Sequence, residues 1–277
     1  MRDDMKRSPS NLIDLDDNRK IVPAIWPVGK TITPSGRQIE DERLYRKQRL
    51  AAALRIFGRL GFDMGGAGHI TVRDPERPDC FWVNPYTVPF SHIRVSDLLL
   101  VDHGGQLIEG TGRLNRAAFA IHSRLHEARP DVMAAAHSHS FYGKTWSTLG
   151  RTLDALTQDS CAFYQDHSVF SAFSGAVVDT SEGDRIATAL GSGKAVILQN
   201  HGILTVGGSI ESAVWRYLGL ENACQVQLAA ESAGSPIPIP HEVAMKSRDQ
   251  FGSEVSGIYG FKPYWDIVLR EEPDLLD

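Results

Sequence analysis

The chain has little cysteine, no long apolar run and no concentration of positive charge, and each shortage removes a class of function. Cys80, Cys161 and Cys224 are odd in number and widely spaced, so they form neither a disulfide framework nor a CxxC motif. Such usage fits a reducing compartment, and a cytoplasmic location is expected. No stretch approaches the roughly 20 apolar residues of a membrane span. The opening MRDDMKRSPSNLIDLDD lacks the apolar core of a secretory signal, so neither export nor a membrane partner is expected. The net charge of −5 is spread along the chain without the Lys/Arg stripe that a phosphate backbone requires, and no nucleic-acid partner is expected.

What is present is an ordinary globular balance, 42% hydrophobic and 23% charged, enough for a sizeable core. Residues 1–40, rich in charge, Ser and Pro without a sustained period, read as an N-terminal extension. Residues 41–235 read as one domain. An opening helix from Asp41 places Leu44, Leu50, Ala51, Leu54 and Phe57 near one face and stops at Gly61. Strand-like runs follow at HITVR, CFWV and LLLVD, suggesting antiparallel pairing. A helix capped by Asn115 carries Ala118, Ile121, Leu125 and Ala128 on one stripe until Pro130. The remaining signals are a buried strand in DVMAAAHSHS, a helix at SEGDR, strands in KAVILQNHG and ILTVGG, and a long helix from a Ser209 cap to Gly234. This order suits a three-layer α/β/α fold around a largely antiparallel sheet. Residues 236–277, with Tyr259, Phe261, Tyr264 and Trp265, read as a tail that packs on the domain or on a neighbouring subunit.

Candidate chemistry gathers on histidine. In a strand, residues two apart share a face, so His137 and His139 can present two imidazoles to one metal ion. His201 ends another apolar strand, beside a glycine that permits a sharp turn. Three histidines leave coordination positions open for water, substrate or oxygen, as catalysis requires and structural zinc sites do not allow. His122 and His126, spaced i, i+4, also suit chelation, although a structural role is the simpler reading. His69, His92 and His167 lie near turns and are candidates to line a pocket or to remain at the surface. Glu221 and Cys224 read as packing and solvation on a helix. Arg113, Arg116, Lys144 and Arg151 are candidate partners for a substrate carboxylate or simply exposed charge.

RPDVMAAAHSHS and ILQNHGILTVG resemble the two metal-binding segments of class II aldolases and their adducin relatives. The likeness runs from about Asp41 to about Gly234 through GAGHITVRD, FWVNPYTVPFSHIRVSDLLLVD and LNRAAFAIHSRLHEARPD. It implies the α/β/α fold, a divalent metal on His137, His139 and His201, and a cyclic homotetramer. The departures redirect the function. Counting back from the shared RPD, the catalytic glutamate of the sugar-phosphate aldolases is replaced by Ala118, which cannot move a proton. The GNxS-like phosphate loop reads Gly68-His69-Ile70-Thr71, and a TPSG-like turn is replaced by Asn84 to Phe90. Phe173 and Ser174 stand where a catalytic tyrosine is expected.

With those changes the chain resembles the aldolase-like non-heme iron oxygenases of aminocoumarin antibiotic biosynthesis. That resemblance implies Fe(II), with Zn(II) as the alternative, and O2 as co-substrate. The reaction implied is oxidative decarboxylation of a prenylated 4-hydroxyphenylpyruvate, through a mandelate, to a 4-hydroxybenzoate. A 2-oxo acid of this kind supplies its own electrons to oxygen, while Tyr86, Phe90, Phe173 and His167 are candidate pocket residues. A zinc-dependent aldolase or decarboxylase acting on a small oxo or hydroxy acid, and an adducin-like binding module without catalysis, remain the alternatives.

Overall fold

The structure, a computed structural model, describes residues 36–175 and 179–277. Most of the expected N-terminal extension therefore lies outside the described residues. The opening helix, α1 (Ile39–Arg59), begins two residues before the expected Asp41 and ends ahead of Gly61, whose φ of +68° suits glycine. Leu50, Ala51, Leu54 and Phe57 are buried as its periodicity requires, whereas Leu44, expected on the same face, is exposed.

Eight strands follow, interleaved with helices: β1 (His69–Arg73), β2 (Cys80–Val83), β3 (Leu99–Asp102), β4 (Leu107–Glu109), α2 (Arg116–Ala128), β5 (Ala134–Ser138), α3 (Phe141–Ser147), β6 (His167–Phe170), α4 (Thr180–Leu190), β7 (Ala195–Leu198) and β8 (Gly202–Gly207). They form one sheet in the order β4-β3-β2-β1-β5-β8-β7-β6. Every pairing is antiparallel except β6 with β7. The long helix α5 (Ile210–Ala233) is capped by Ser209, whose hydroxyl accepts the Ser212 N–H.

Both sheet faces are covered, and the period-two alternation of the strands decides which side chain meets which layer. Ile70, Val72, Trp82, Ala134, Ala136, Ile197 and Ile203 join the core formed with α1 and α5. Ala135, Val196, Leu198, Leu204 and Val206 pack instead with Ile121 and Leu125 of α2 and Ile186 and Leu190 of α4. Alanines on both faces of the central β5 permit close approach of the two helical layers. Ala128, expected on the buried stripe of α2, is exposed at its last turn. This is the three-layer fold of a mainly antiparallel sheet.

The C-terminal segment is helical, a feature its alternating prolines and aromatics did not announce. It forms α6 (His241–Phe251) and α7 (Glu254–Glu271), the latter with Pro263 inside it. Phe261 is buried in the main core, and Trp265 lies beneath the Arg49 guanidinium at 3.6 Å from its ring centre. Tyr259 and Tyr264 stay largely exposed. Arg55 of α1 clamps the end of the chain through Glu272 and Asp274, at 3.0 and 2.8 Å. No helix among the described residues is long and apolar enough to cross a membrane.

Candidate metal centre

β5 carries His137 to the sheet's rim on the face that looks toward α2, while His139 follows just beyond the strand end. His201 comes from the tight turn between β7 and β8, where Asn200 takes a φ of +60° and asparagine tolerates the left-handed region. The residue after His201 is held to glycine by contact, because a Cβ on Gly202 would stand 2.9 Å from the Ser138 carbonyl oxygen. Two distant segments are thereby locked together. One ring nitrogen from each of His137, His139 and His201 falls within 4.8 Å of the others. Their ring centres lie 4.8 to 5.3 Å apart.

The electronic state suits a metal. His137 Nδ1–H donates to the Ile203 carbonyl at 2.9 Å, which leaves the Nε2 lone pair as the free donor atom. Burial, then neighbouring imidazoles, holds His137 well below the ordinary histidine range. His201 is lowered to about 4 by burial and by His139, and His139 is lowered by burial and by Lys144. Three neutral imidazoles are what a divalent cation binds.

The centre opens into a cavity of about 370 Å³, large enough for a small-molecule ligand. Ala67, Gly68, Asn115, Ala117, Ile121, Lys144 and Phe173 line it alongside His69 and the three histidines, and no described lining residue is an Asp or Glu. The α2 face offers Ala117 to the cavity, while Ala118 is fully buried behind it. Lys144 is the one cation in this lining, and among the described residues it makes no ion pair. The other basic candidates are placed elsewhere. Arg113 and Arg116 are exposed, and Arg151 is paired with Glu231 at 2.6 Å.

Of the aromatic candidates, Phe173 lines the cavity, with its ring centre 6.4 Å from that of His201. The other expected pocket residues are not among the described lining. Tyr86 is half exposed and lies where a side chain on Gly66 would have to go. Phe90 is a core residue that reaches the site only by packing beneath Gly68. His167 is absent from the lining because both its nitrogens are used: Nδ1–H donates to the Phe163 carbonyl at 2.6 Å, and Nε2 accepts the Leu153 N–H at 2.8 Å. His92 stands apart, beside Arg55 and Arg94.

Glu221 is more than a solvated helix residue. Its buried carboxylate accepts the Ser140 hydroxyl at 2.5 Å and the Tyr142 and Gly143 N–H groups at 2.8 and 2.6 Å. It thus holds the start of α3 and the residue after His139. Tyr217 completes the anchor through its hydroxyl, which lies 2.7 and 2.8 Å from the hydroxyls of Ser138 and Ser140. Neither residue carried a spacing signal, since each acts on a segment about 80 positions away. His122 and His126 are both engaged with Thr71, at 2.7 and 2.9 Å.

The chain matches the Class II Aldolase and Adducin N-terminal domain family over residues 48–228, and it belongs to that family. It is 46% identical to Decarboxylase NovR of Streptomyces niveus over 85% of this chain and 88% of that protein. It is also 46% identical to a 4-hydroxy-3-prenylphenylpyruvate oxygenase/4-hydroxy-3-prenylbenzoate synthase of Streptomyces roseochromogenus subsp. oscitans, over 85% of this chain and 86% of the relative. Among solved structures, an L-fuculose 1-phosphate aldolase from Glaciozyma antarctica PI12 is similar with a TM-score of 0.81. That structure is 44% identical, over 87% of this chain and 95% of that one.

Proposed function

We propose that this protein is a non-heme iron oxygenase that oxidatively decarboxylates an aromatic 2-oxo acid, a prenylated 4-hydroxyphenylpyruvate, to a 4-hydroxybenzoate through the mandelate. The observation that carries the reading is a three-histidine centre in a cavity with no carboxylate in its described lining. Two relatives at 46% identity, named as a decarboxylase and as a prenylphenylpyruvate oxygenase, support it.

His137, His139 and His201 would hold the metal. Bound iron(II) would supply Lewis acidity and one-electron redox chemistry toward oxygen, neither step needing a protein carboxylate. The protein's own contribution is placement. Lys144 offers a positive charge at the cavity wall for the acid group. Ile121, Ala117 and Phe173 supply an apolar wall for an aromatic ring and exclude water from it. Each of the two stages consumes one O2 and releases one CO2, the first yielding the mandelate and the second the benzoate with one water.

A second reading, metal-dependent retro-aldol cleavage of a sugar phosphate, is favoured by the 44% identical structure, which is named as an L-fuculose 1-phosphate aldolase. Proton transfer to and from an enediolate requires an acid-base group, and the described cavity wall offers none of the carboxylate type. The deciding experiment follows product formation from the prenylated 4-hydroxyphenylpyruvate under air and under strict anaerobiosis, with Fe2+ or Zn2+. Oxygen uptake should track CO2 release and require Fe2+, while Zn2+ should inhibit. Equal conversion without oxygen, or robust cleavage of L-fuculose 1-phosphate with Zn2+, overturns the oxygenase.

A further inference from the structure

His69 is the buried group that the metal centre leaves unexplained. It opens β1 directly opposite His137 on β5, so the two side chains leave neighbouring strands on the same face. Its ring centre is 5.0 Å from that of His137, yet it falls outside the set of three whose nitrogens converge. It lines the cavity, is only 2% exposed, and neither ring nitrogen has a hydrogen-bond partner. Buried polar groups are ordinarily satisfied, and one left open on a cavity wall points to a ligand.

What stands behind His69 fixes its ring. Along β1 the apolar Ile70 and Val72 turn to the α5 core, while His69, Thr71 and Arg73 turn toward α2. There His122 meets the His69 ring edge-on, with centres 4.4 Å apart. The Thr71 hydroxyl bonds both His122 Nδ1 and His126 Nε2. A hydroxyl has one proton, so at least one of these two rings donates to it. Arg73 closes the column by donating to the His126 carbonyl at 2.6 Å. Besides the cavity, the polar groups beside the His69 imidazole are its own Gly68 backbone and His122, whose Nε2 is likewise without a partner.

We propose that His69 is a substrate-binding residue that does not ligate the metal: its ring N–H hydrogen-bonds the metal-side oxygens, carboxylate or 2-oxo, of the bound acid, while the His122–Thr71–His126–Arg73 column holds the ring in place. The inference deepens the proposed function and rests on its 2-oxo acid substrate. The cross-strand position selects the head group, because a group bound beside His137 lies next to His69, whereas the apolar wall is formed by Ile121 and Phe173.

The test uses the full chain loaded with Co2+ and kept free of oxygen, so that binding is read from the cobalt absorption spectrum without turnover. Phenylpyruvate is the substrate probe and oxalate the bare head group. His69→Phe should bind one equivalent of Co2+ as the unsubstituted chain does, yet bind both probes about tenfold more weakly or worse, as expected for loss of a hydrogen bond to a charged acceptor. His69→Gln, which keeps a donor, should recover part of that loss. Both variants should keep the parent's cooperative thermal transition, and should a variant fail to fold, the other supplies the comparison. Loss of Co2+ from the variants would make His69 a ligand and overturn the proposal, as would unchanged affinity for oxalate. If the unsubstituted chain binds oxalate but not phenylpyruvate, the aromatic substrate reading fails while His69 is still judged on oxalate. Binding of neither probe overturns both.

Discussion

His201 stands on a turn, so replacing it tests the metal centre with the least damage to the sheet. His201→Ala should weaken metal binding by more than the roughly 10–100-fold that changes around a ligand cost, with the apo-protein's unfolding midpoint nearly unchanged. Metal analysis after dialysis reads the first quantity, and full occupancy would remove His201 from the centre. Glu221 predicts the opposite balance. Glu221→Ala strips the acceptor from one hydroxyl and two backbone N–H groups at once, so it should cost about 2–4 kcal/mol in urea unfolding and loosen His139 as well. A loss below about 0.5 kcal/mol would show that water replaces the carboxylate there. These residues also mark what is legible in the sequence. His137, His139 and His201 are readable because apolar strands end in them. His69 does not stand out from the other turn histidines because its partner lies 68 positions away across the sheet, and Glu221 does not because a lone acid on a helix has no pattern.

At the scale of elements, the turn from β7 to β8 is the piece most exposed to backbone chemistry. Asn200 holds a left-handed conformation that a β-branched side chain resists by about 1–2 kcal/mol. Asn200→Val should therefore destabilise the apo-protein by that amount and weaken metal binding through His201, whereas Asn200→Gly should leave stability within about 0.5 kcal/mol. Chemical denaturation separates the two, and equal losses would refute the conformational account. Strands bounded by clear turn signals, such as HITVR and CFWV, emerged where the sequence put them. Apart from α6, eleven residues read as part of the tail, the elements that escaped were short or interrupted. β4 has three residues, α3 has seven, and α7 contains Pro263 and exposes Tyr259 and Tyr264, so no apolar stripe survives to be read.

At the scale of the whole molecule, the layer between β1 and α2 is a buried histidine store, and its cost depends on pH. His122 and His126 are held well below the ordinary range, first by burial and then by His126 beside the one and Arg73 beside the other. In the unfolded chain both titrate near 6.5. Between that value and the lower folded value the unfolded chain carries protons that the fold does not, so stability is full above about pH 6.5 and falls as pH drops. Each such histidine contributes a slope that approaches about 1.4 kcal/mol per pH unit once pH is well below 6.5. Asp74 acts only lower down. Burial raises it, but the Arg43 hydrogen bond, the Arg77 N–H and the Trp82 indole together hold it below its usual range, so its contribution persists until pH falls under about 3.8. Urea unfolding of the metal-free protein at pH 7.5, 6.5 and 5.5 should thus show a steep loss in the last interval that carboxylates do not explain. His122→Gln keeps a polar partner for Thr71 but has no proton to gain. It should be less stable than the parent at pH 7.5 and close the gap by about 1 kcal/mol between pH 6.5 and 5.5. Parallel pH curves for the two proteins would mean that His122 is protonated inside the fold, and a neutral column behind the metal pocket would then have to be abandoned.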